Sequence, residues 1–481
     1  MVGSFLIPVL FLSAQPSFAQ EDLREYQHGI DFIPRNDTSY WLIWSSSGNP
    51  PQGAGTDGSW THDIFYSDID PHNPKISPIK IISNPEAQEP ASSAISDDGH
   101  IMITMEDGWN AKNVVAQRYG LYDQSMNPVK PYPNTALDGG HSGHVAASGN
   151  RFVIFYSEGW VDDGGVDNLG SGDDVMLKVY DSTGNYERES NISVGSAYRD
   201  WWPMIAGSHN CVMLLWQRFV NGQEYADLMY SVYNPATGQT VKGNTRLTKQ
   251  VKYYTYDVQY IPSIDRFLVA GAYASGGGYS FLINNNGDVT AINRNLPALV
   301  REAQPAVKQS GSAAFVVYPK QPNGLYVLSL SDSSITLNNE ISDSYSWRYM
   351  GTDGIFTDAN SVYFVSLSKT GCVEKRFHNV ISTSKLNNGK ASLYKTFILY
   401  QNYPNPFNPT TAIRYELAND SDIELSVHDI SGRSIATLAS GVHPAGSHIV
   451  YFDGSGLPSG MYCCTMTNNI VFQTTKLLLV K

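Results

Sequence analysis

Side chains able to bind or transform a ligand recur in seven short segments, each just before an apolar stretch. These segments are EYQHG (25–29), EAQEP (86–90), GGHSGH (139–144), YRDWWP (198–203), YYTYD (253–257), VREAQ (300–304) and SWRYMG (346–351). Indole and phenol faces stack on sugar rings, and arginine pairs with carboxylate or sulfate in bidentate geometry. The combination therefore indicates a carbohydrate site, and the abundant arginine favours an acidic glycan.

If this site is catalytic, β-elimination on a uronate is the simplest chemistry for these residue types. One arginine or histidine neutralises the sugar carboxylate, and a tyrosine or histidine, its pKa lowered by a nearby guanidinium, accepts the C5 proton. The predicted catalytic residues are His141, His144, Arg218 and Tyr256. The predicted substrate-binding residues are Arg199, Trp202, Tyr254, Arg301, Arg348, Tyr349, Glu158 and Trp160.

Two other functions fit the same residues. Glycoside hydrolysis needs two carboxylates at a set separation, and the candidates are Glu89, Glu106, Glu158, Asp200 and Glu302. A propeller that binds a glycan or a protein without catalysis is the main alternative. The same residues can instead have purely structural roles. Trp202 can pack in the core, His144 can be a hydrogen-bonded structural histidine, and Arg301 can pair with Glu302.

The elements that position these segments form a repeat. Strongly apolar strands begin at residues 41, 101, 152, 212, 267, 315 and 362, so successive starts differ by 60, 51, 60, 55, 48 and 47 positions. A third strand follows in every unit and a weaker fourth in most. Seven units of about four short strands predict a seven-bladed β-propeller over residues 22–395, with an open solenoid as the alternative. In a propeller, all seven segments converge on the central axis.

The composition limits the classes of partner and cofactor that we expect. The 481-residue chain has a net charge of −13, so we expect no nucleic-acid partner. Its four cysteines lack zinc-type spacing, and we assign no metal or other cofactor. The Asp/Gly-rich loop 162–174 is a candidate for calcium through oxygen ligands, although it lacks EF-hand spacing.

The N-terminus predicts export. Residues 1–19 contain an apolar run ending in a small-x-small pattern, typical of a signal peptide. No later stretch reaches the roughly 18 apolar residues of a membrane span. We therefore expect the protein to be exported through the periplasm and then secreted or held on the outer-membrane surface. We also expect it to be a monomer.

Two consecutive repeats resemble secreted propeller polysaccharide lyases such as the ulvan lyases. The stretches are HSGHVAASGNRFVIFYSEGW (141–160) and WPMIAGSHNCVMLLWQR (202–218). In this resemblance His141 or His144 matches the first family histidine, and Arg218 matches the family arginine. Trp202 stands where the family has tyrosine, and Glu158 to Trp160 replace its second histidine. The resemblance implies a lyase acting on an extracellular acidic polysaccharide.

The C-terminal residues 399–481 alternate apolar and polar side chains in six or seven short strands, which predicts a small Ig-like β-sandwich. Its lead-in, NYPNPFNPTT (402–411), contains Pro404, Pro406 and Pro409, and we expect these to hold it extended without ladder hydrogen bonds.

This region, from NYPNPFNPTTAIRYEL to KLLLVK, closely resembles the C-terminal sorting domain of the bacterial type IX secretion system. The resemblance implies an export address that the type IX machinery reads, and a two-membrane bacterium of the Bacteroidetes–Chlorobi type. An ordinary Ig-like carbohydrate-binding module is the alternative.

Overall fold

A computed structural model gives the structure of the protein. It describes residues 28–36, 39–46, 63–83, 88–107, 115–158, 174–193, 198–220, 223–347, 351–368, 371–382, 397–417, 421–430, 433–444, 446–467 and 472–481. The predicted signal peptide, residues 1–19, lies outside these ranges. The chain divides into two compact units, Met1–Ser382 and Thr383–Lys481.

The first unit begins with three four-stranded antiparallel sheets, each ordered as in the chain. Blade 1 contains β1 (His28–Asn36), β2 (Ser39–Ser46), β3 (Asp63–Ile69) and β4 (Ile79–Ile82). Blade 2 contains β5 (Gln88–Ile95), β6 (Ile101–Asp107), β7 (Ala116–Tyr122) and β8 (Pro128–Asp138). Blade 3 contains β9 (His141–Ser148), β10 (Arg151–Ser157), β11 (Val175–Asp181) and β12 (Tyr186–Asn191).

Blades 4 and 5 form one seven-stranded sheet because they share a strand. The strands are β13 (Asp200–Gly207), β14 (Val212–Phe219), β15 (Ala226–Asn234), β16 (Gln239–Ile261), β17 (Arg266–Tyr273), β18 (Gly278–Ile283) and β19 (Val289–Leu296). The first half of β16 pairs with β15, and its second half pairs with β17. Strand β16 is therefore both the outer strand of blade 4 and the inner strand of blade 5.

Two further sheets complete the ring. Blade 6 contains β20 (Ala306–Ser310), β21 (Ala313–Pro319), β22 (Asn323–Ser331) and β23 (Ser334–Ser346). Blade 7 contains β24 (Thr352–Phe356), β25 (Ser361–Ser368) and β26 (Gly371–His378) within the described residues. All seven predicted apolar strands lie inside second strands, from β2 to β25.

Packing between blades explains why these strands are apolar on both faces. Val153 and Phe155 of blade 3 share a buried cluster with Leu214 and Trp216 of blade 4. The Phe155 and Trp216 ring centroids lie 6.2 Å apart, with the rings nearly perpendicular. Each sheet thus buries both of its faces against its neighbours, a burial that no isolated sheet could achieve.

The ring closes between its first and last blades. Strand β24 packs beside β1, and the Phe32 backbone N–H donates to Asp353 Oδ2 at 2.6 Å. An open solenoid has no such contact. The predicted seven-bladed β-propeller is therefore confirmed, and the solenoid alternative is excluded.

The second unit is a sandwich of two antiparallel sheets, ordered β27-β28-β31 and β30-β29-β32-β33. Its strands are β27 (Phe397–Leu399), β28 (Thr410–Leu417), β29 (Ser421–Asp429), β30 (Ser434–His443), β31 (Gly446–Asp453), β32 (Gly460–Thr467) and β33 (Phe472–Leu479). One core joins the sheets, with Ile413 and Phe452 from the first and Leu425 and Leu477 from the second. The predicted β-sandwich is confirmed.

The proline-rich lead-in differs from its prediction. Tyr403 exchanges two backbone hydrogen bonds with Ala412, and Phe407 exchanges two with Leu478 and Val480. The Phe407 side chain is buried in the sandwich core. The lead-in therefore does form ladder-like hydrogen bonds, because Tyr403 and Phe407 keep the backbone N–H groups that its prolines lack.

Among the described residues the one helical element is the 3₁₀ turn Pro262–Ile264. That part of the chain has no helix able to cross a membrane.

Candidate functional site

A left-handed backbone residue stands at the entry to the innermost strand in six of the seven blades. These residues are Gly29 (φ 75°), Ser142 (53°), Trp202 (56°), Tyr254 (56°), Glu302 (52°) and Gly351 (131°). Non-glycine residues adopt this conformation rarely, so four of them at one repeat position mark a shared turn. The turn directs the chain onto the inner strand beside the channel.

Side chains of the preceding blade hold two of these turns in place. Glu106 Oε2 accepts the Ser142 N–H at 3.0 Å, and Gln217 Oε1 accepts the Tyr254 N–H at 3.1 Å. Glu106 and Gln217 both lie near the ends of second strands. The end of one blade's second strand therefore fixes the entry into the next blade.

A small cavity opens where four of these turns meet. We call it the channel cavity. Its lining comes from distant parts of the chain and includes Gly29, Ile30, Asp31, Ala91, His144, Trp202, Met204, Tyr256, Glu302, Ala303, Gln304 and Gly351. The structure thus brings three predicted site residues, His144, Trp202 and Tyr256, to one place.

The two candidate histidines occupy different environments. His141 is fully buried, and its ring lies 4.2 Å from Trp201. Burial, helped by the positive charge of Arg199, lowers the pKa of His141 to about 3. His144 is half-buried, lines the channel cavity and meets the Trp202 ring edge-on at 6.0 Å. Of the two, His144 is the one placed to accept a proton from a ligand.

Tyr256 contradicts the expected lowering of a tyrosine pKa. Its hydroxyl donates to the Trp202 carbonyl at 2.6 Å, and its side chain is 1% exposed. Burial raises the pKa of Tyr256 well above its ordinary value. The hydroxyl of Tyr256 therefore ties blade 5 to blade 4 and is unsuited to accept a proton.

Arg218 is already engaged by a carboxylate of its own blade. Its Nε and Nη2 donate to Asp200 Oδ1 and Oδ2 at 2.7 and 2.6 Å. Asp200 is fully buried, and its hydrogen bonds raise the pKa of Arg218 further. The guanidinium also lies 4.7 Å from the Tyr198 ring centroid. Arg218 thus neutralises a buried charge that the protein itself carries.

Arginines and aromatic rings form a continuous row of contacts from blade 4 to blade 6. We call this row, made of Arg199, Trp201, Phe219, Tyr253, Tyr254 and Arg301, the aromatic–arginine patch; Trp201 within it is buried. The Arg199 guanidinium lies 4.8 Å from the Trp201 ring centroid and 4.5 Å from that of Phe219. The Phe219 and Tyr253 rings lie 4.8 Å apart. The Arg301 guanidinium covers the Tyr254 ring at 4.3 Å.

The patch borders the channel cavity through Trp202, whose ring lies 4.9 Å from that of Tyr254. Trp202 and Tyr254 are each 8% exposed, so only a small part of either ring is open to a ligand. Arg301 donates to Glu302 Oε1 at 3.0 Å, as the structural alternative anticipated. Arg199 is half-buried between its two rings, which hold its charge in a set orientation.

Glu158 lies away from the channel cavity, near Asp174. The Glu158 N–H donates to the Asp174 carbonyl at 3.0 Å. Partial burial and the Asp174 charge raise the pKa of Glu158. Trp160, Arg348, Tyr349 and all but the last residue of the loop 162–174 lie outside the described residues. Within the described ranges, no group of three His, Cys, Asp or Glu side chains could hold a metal.

Three buried aspartates on inner strands were absent from the sequence prediction. Asp31 accepts from Ser93 N at 2.5 Å and from Gln304 Nε2. Asp257 accepts the Tyr318 hydroxyl at 3.0 Å. Burial raises the pKa of Asp31 to about 6, that of Asp257 to about 7, and that of Asp353 well above its ordinary range.

One repeated position contains five residues of the cavity lining together with Asp353, which lies outside that lining. His144, Met204, Tyr256, Gln304, Asp31 and Asp353 each stand two residues after a left-handed turn residue. Aligning the six segments that contain those turns, which the structure shows, brings all six residues to one position. Reading each segment by its residue types alone missed Asp31 and Gln304.

The comparisons with known proteins identify the second unit. Residues 401–481 match the family described as the secretion system C-terminal sorting domain. The predicted sorting domain is therefore confirmed. The protein is exported through the type IX secretion system to the cell surface or the extracellular space.

Solved structures similar to the chain are also propeller-like. The polysaccharide lyase Uly1 is 10% identical over 73% of this chain and 90% of its own, with a TM-score of 0.44. An ulvan lyase bound to -[GlcA(1-4)Rha3S]- is 11% identical over 75% and 97%, with a TM-score of 0.43. The Trypanosoma rangeli sialidase in complex with the inhibitor DANA is 6% identical over 88% and 86%, with a TM-score of 0.42. Similarities this distant carry no argument about the reaction, and no curated protein matches the chain.

Proposed function

We propose that the propeller binds an extracellular acidic polysaccharide and cleaves it by β-elimination. The observation that carries this proposal is the junction of the aromatic–arginine patch with the channel cavity at Trp202. Export to the cell surface or beyond places the protein where such polymers occur.

In this mechanism Arg199 pairs with the uronate carboxylate, which makes the C5 proton more acidic. The neutral imidazole of His144 accepts that proton. The electron pair left at C5 forms the C4=C5 double bond, and the C4–O bond breaks. The departing oxygen takes a proton from the His144 imidazolium or from water, so that proton and charge balance.

A non-catalytic polysaccharide-binding propeller is the second candidate. The contacts of two other predicted catalytic residues, Arg218 and Tyr256, favour this candidate. Arg218 is paired with Asp200, and Tyr256 is buried with a raised pKa. The patch and the cavity would then serve recognition alone.

The test uses the full chain with a panel of uronate-containing polysaccharides. Binding is measured by calorimetry, cleavage by the absorbance of the unsaturated uronate, and new reducing ends in parallel. Arg199→Ala should weaken binding at least tenfold, because a charge-assisted hydrogen bond contributes about 1.5–3 kcal/mol. Arg246→Ala is the matched control, since Arg246 pairs with Asp227 on the outer part of blade 4.

His144→Gln should abolish the absorbance signal and leave binding largely intact. Binding without absorbance in the wild type would support the second candidate, and reducing ends without absorbance would indicate hydrolysis. The absence of binding to every acidic polysaccharide, or equal losses in Arg199→Ala and Arg246→Ala, would overturn the proposal.

A further inference from the structure

The charges of the candidate site are divided between two zones. The aromatic–arginine patch carries Arg199 and Arg301 on its rings. The described lining of the channel cavity contains the carboxyls of Asp31 and Glu302 and no lysine or arginine. The only other titratable side chains in that lining are His144 and Tyr256.

Asp31 lines the cavity from the inner strand of blade 1. Ser93 and Gln304 donate to it from blades 2 and 6. Two further carboxyls, Asp257 and Asp353, are buried close by, and the charge of Asp31 adds to the burial that raises the pKa of each. Glu302 adds a carboxylate whose charge Arg301 offsets on the patch side.

An anionic group entering this cavity would face carboxylates in a region partly shielded from water, where like charges repel strongly. A hydroxyl-bearing group would meet acceptors at Asp31 and Glu302, the amide of Gln304 and the ring of Trp202. Hydroxyls and an aromatic edge are what a neutral sugar unit uses for binding.

We propose that the channel cavity seats an uncharged sugar unit, while the anionic unit whose C5 proton His144 accepts stays at the mouth of the cavity, at the patch beside Arg199. This inference rests on the proposed polysaccharide function and adds the charge pattern of the ligand. The protein would then select polymers in which charged and neutral units neighbour each other, and would discriminate against chains charged at every unit.

The test compares two oligosaccharides of the same linkage and length on the full chain by calorimetry. One has uronate units only, and the other has alternate units with a hydroxymethyl group in place of the carboxylate. The mixed oligosaccharide should bind at least tenfold more tightly at pH 8. The difference should shrink at pH 5, because Asp31, whose pKa burial raises to about 6, takes up a proton as the pH falls.

Asp31→Asn should reduce the preference at pH 8, and Glu302→Gln supplies a second variant if the first fails to fold. Asp332→Asn, which alters an exposed carboxylate on a turn, should leave the preference unchanged. Equal affinities, or tighter binding of the all-uronate chain, would overturn the charge-pattern inference while the proposed function stands. Failure of both oligosaccharides to bind would overturn the proposed function together with the inference.

Discussion

Replacement of Asp257 by asparagine should remove a large part of the pH dependence of propeller stability. The Asp257 carboxyl is 1% exposed and accepts the Tyr318 hydroxyl at 3.0 Å across the boundary between blades 5 and 6. Burial raises its pKa from 3.8 to about 7. The folded protein therefore keeps a proton that the unfolded chain releases near pH 4.

That difference makes the folded state more stable at low pH. The contribution is fully present below about pH 4 and is lost as the pH rises through about 7. The gap between 3.8 and about 7 corresponds to about 4 kcal/mol of unfolding free energy. An asparagine has no proton to lose and keeps an oxygen for the Tyr318 hydroxyl. The stability of Asp257→Asn relative to wild type should therefore rise by about 4 kcal/mol between pH 4 and pH 8.

The assay is urea unfolding of the full chain at several pH values, followed by tryptophan fluorescence. All nine tryptophans precede residue 383, so their emission reports on the propeller unit alone. Asp332→Asn is the control, because its carboxylate is exposed. Parallel stability curves for wild type and Asp257→Asn from pH 4 to pH 8 would refute the reasoning.

Three further predictions concern packing and charge pairing. Arg218→Ala should lower the unfolding free energy by about 3 kcal/mol in urea titrations, because it leaves a fully buried carboxylate without its partner; a loss below 1 kcal/mol would contradict this. Gly207→Ala should destabilise the propeller strongly, since its Cβ would lie 1.7 Å from a backbone oxygen of blade 3, whereas Gly243→Ala meets nothing within 4 Å and should melt like wild type. Phe407→Ala should cost the sorting domain about 3–5 kcal/mol and reduce the exported fraction in cell fractionation, while the 82% exposed Tyr403 should tolerate alanine; equal export of both variants would count against the packing argument.

The blade architecture could be predicted from sequence because burial on both faces leaves a strong pattern. Second strands such as β10 and β14 are apolar at nearly every position, since each contacts two neighbouring blades. Their spacing then gave the number of blades. The sandwich was equally predictable, because one face of each strand is buried and the other is exposed.

The site was predictable only in part. Residue types indicated His144 and Trp202, but no local preference of tryptophan or tyrosine signals a left-handed turn at Trp202 or Tyr254. The partners of the arginines depend on tertiary contacts, so sequence could not show that Arg218 is held by Asp200. The Asp31 carboxyl is held by residues far along the chain, such as Gln304. The sequence around Asp31 therefore could not show that it belongs to the site.

Strand β16 has a mechanical consequence. It runs from the perimeter of blade 4 to the axis side of blade 5 with a left-handed turn at Tyr254, so these two blades share one strand where a separate loop would otherwise join them. New chain ends placed within β16 would sever that ribbon, and circular permutants opened there should lose cooperativity. Force applied to one of the pair would therefore be transmitted to the other through this shared strand.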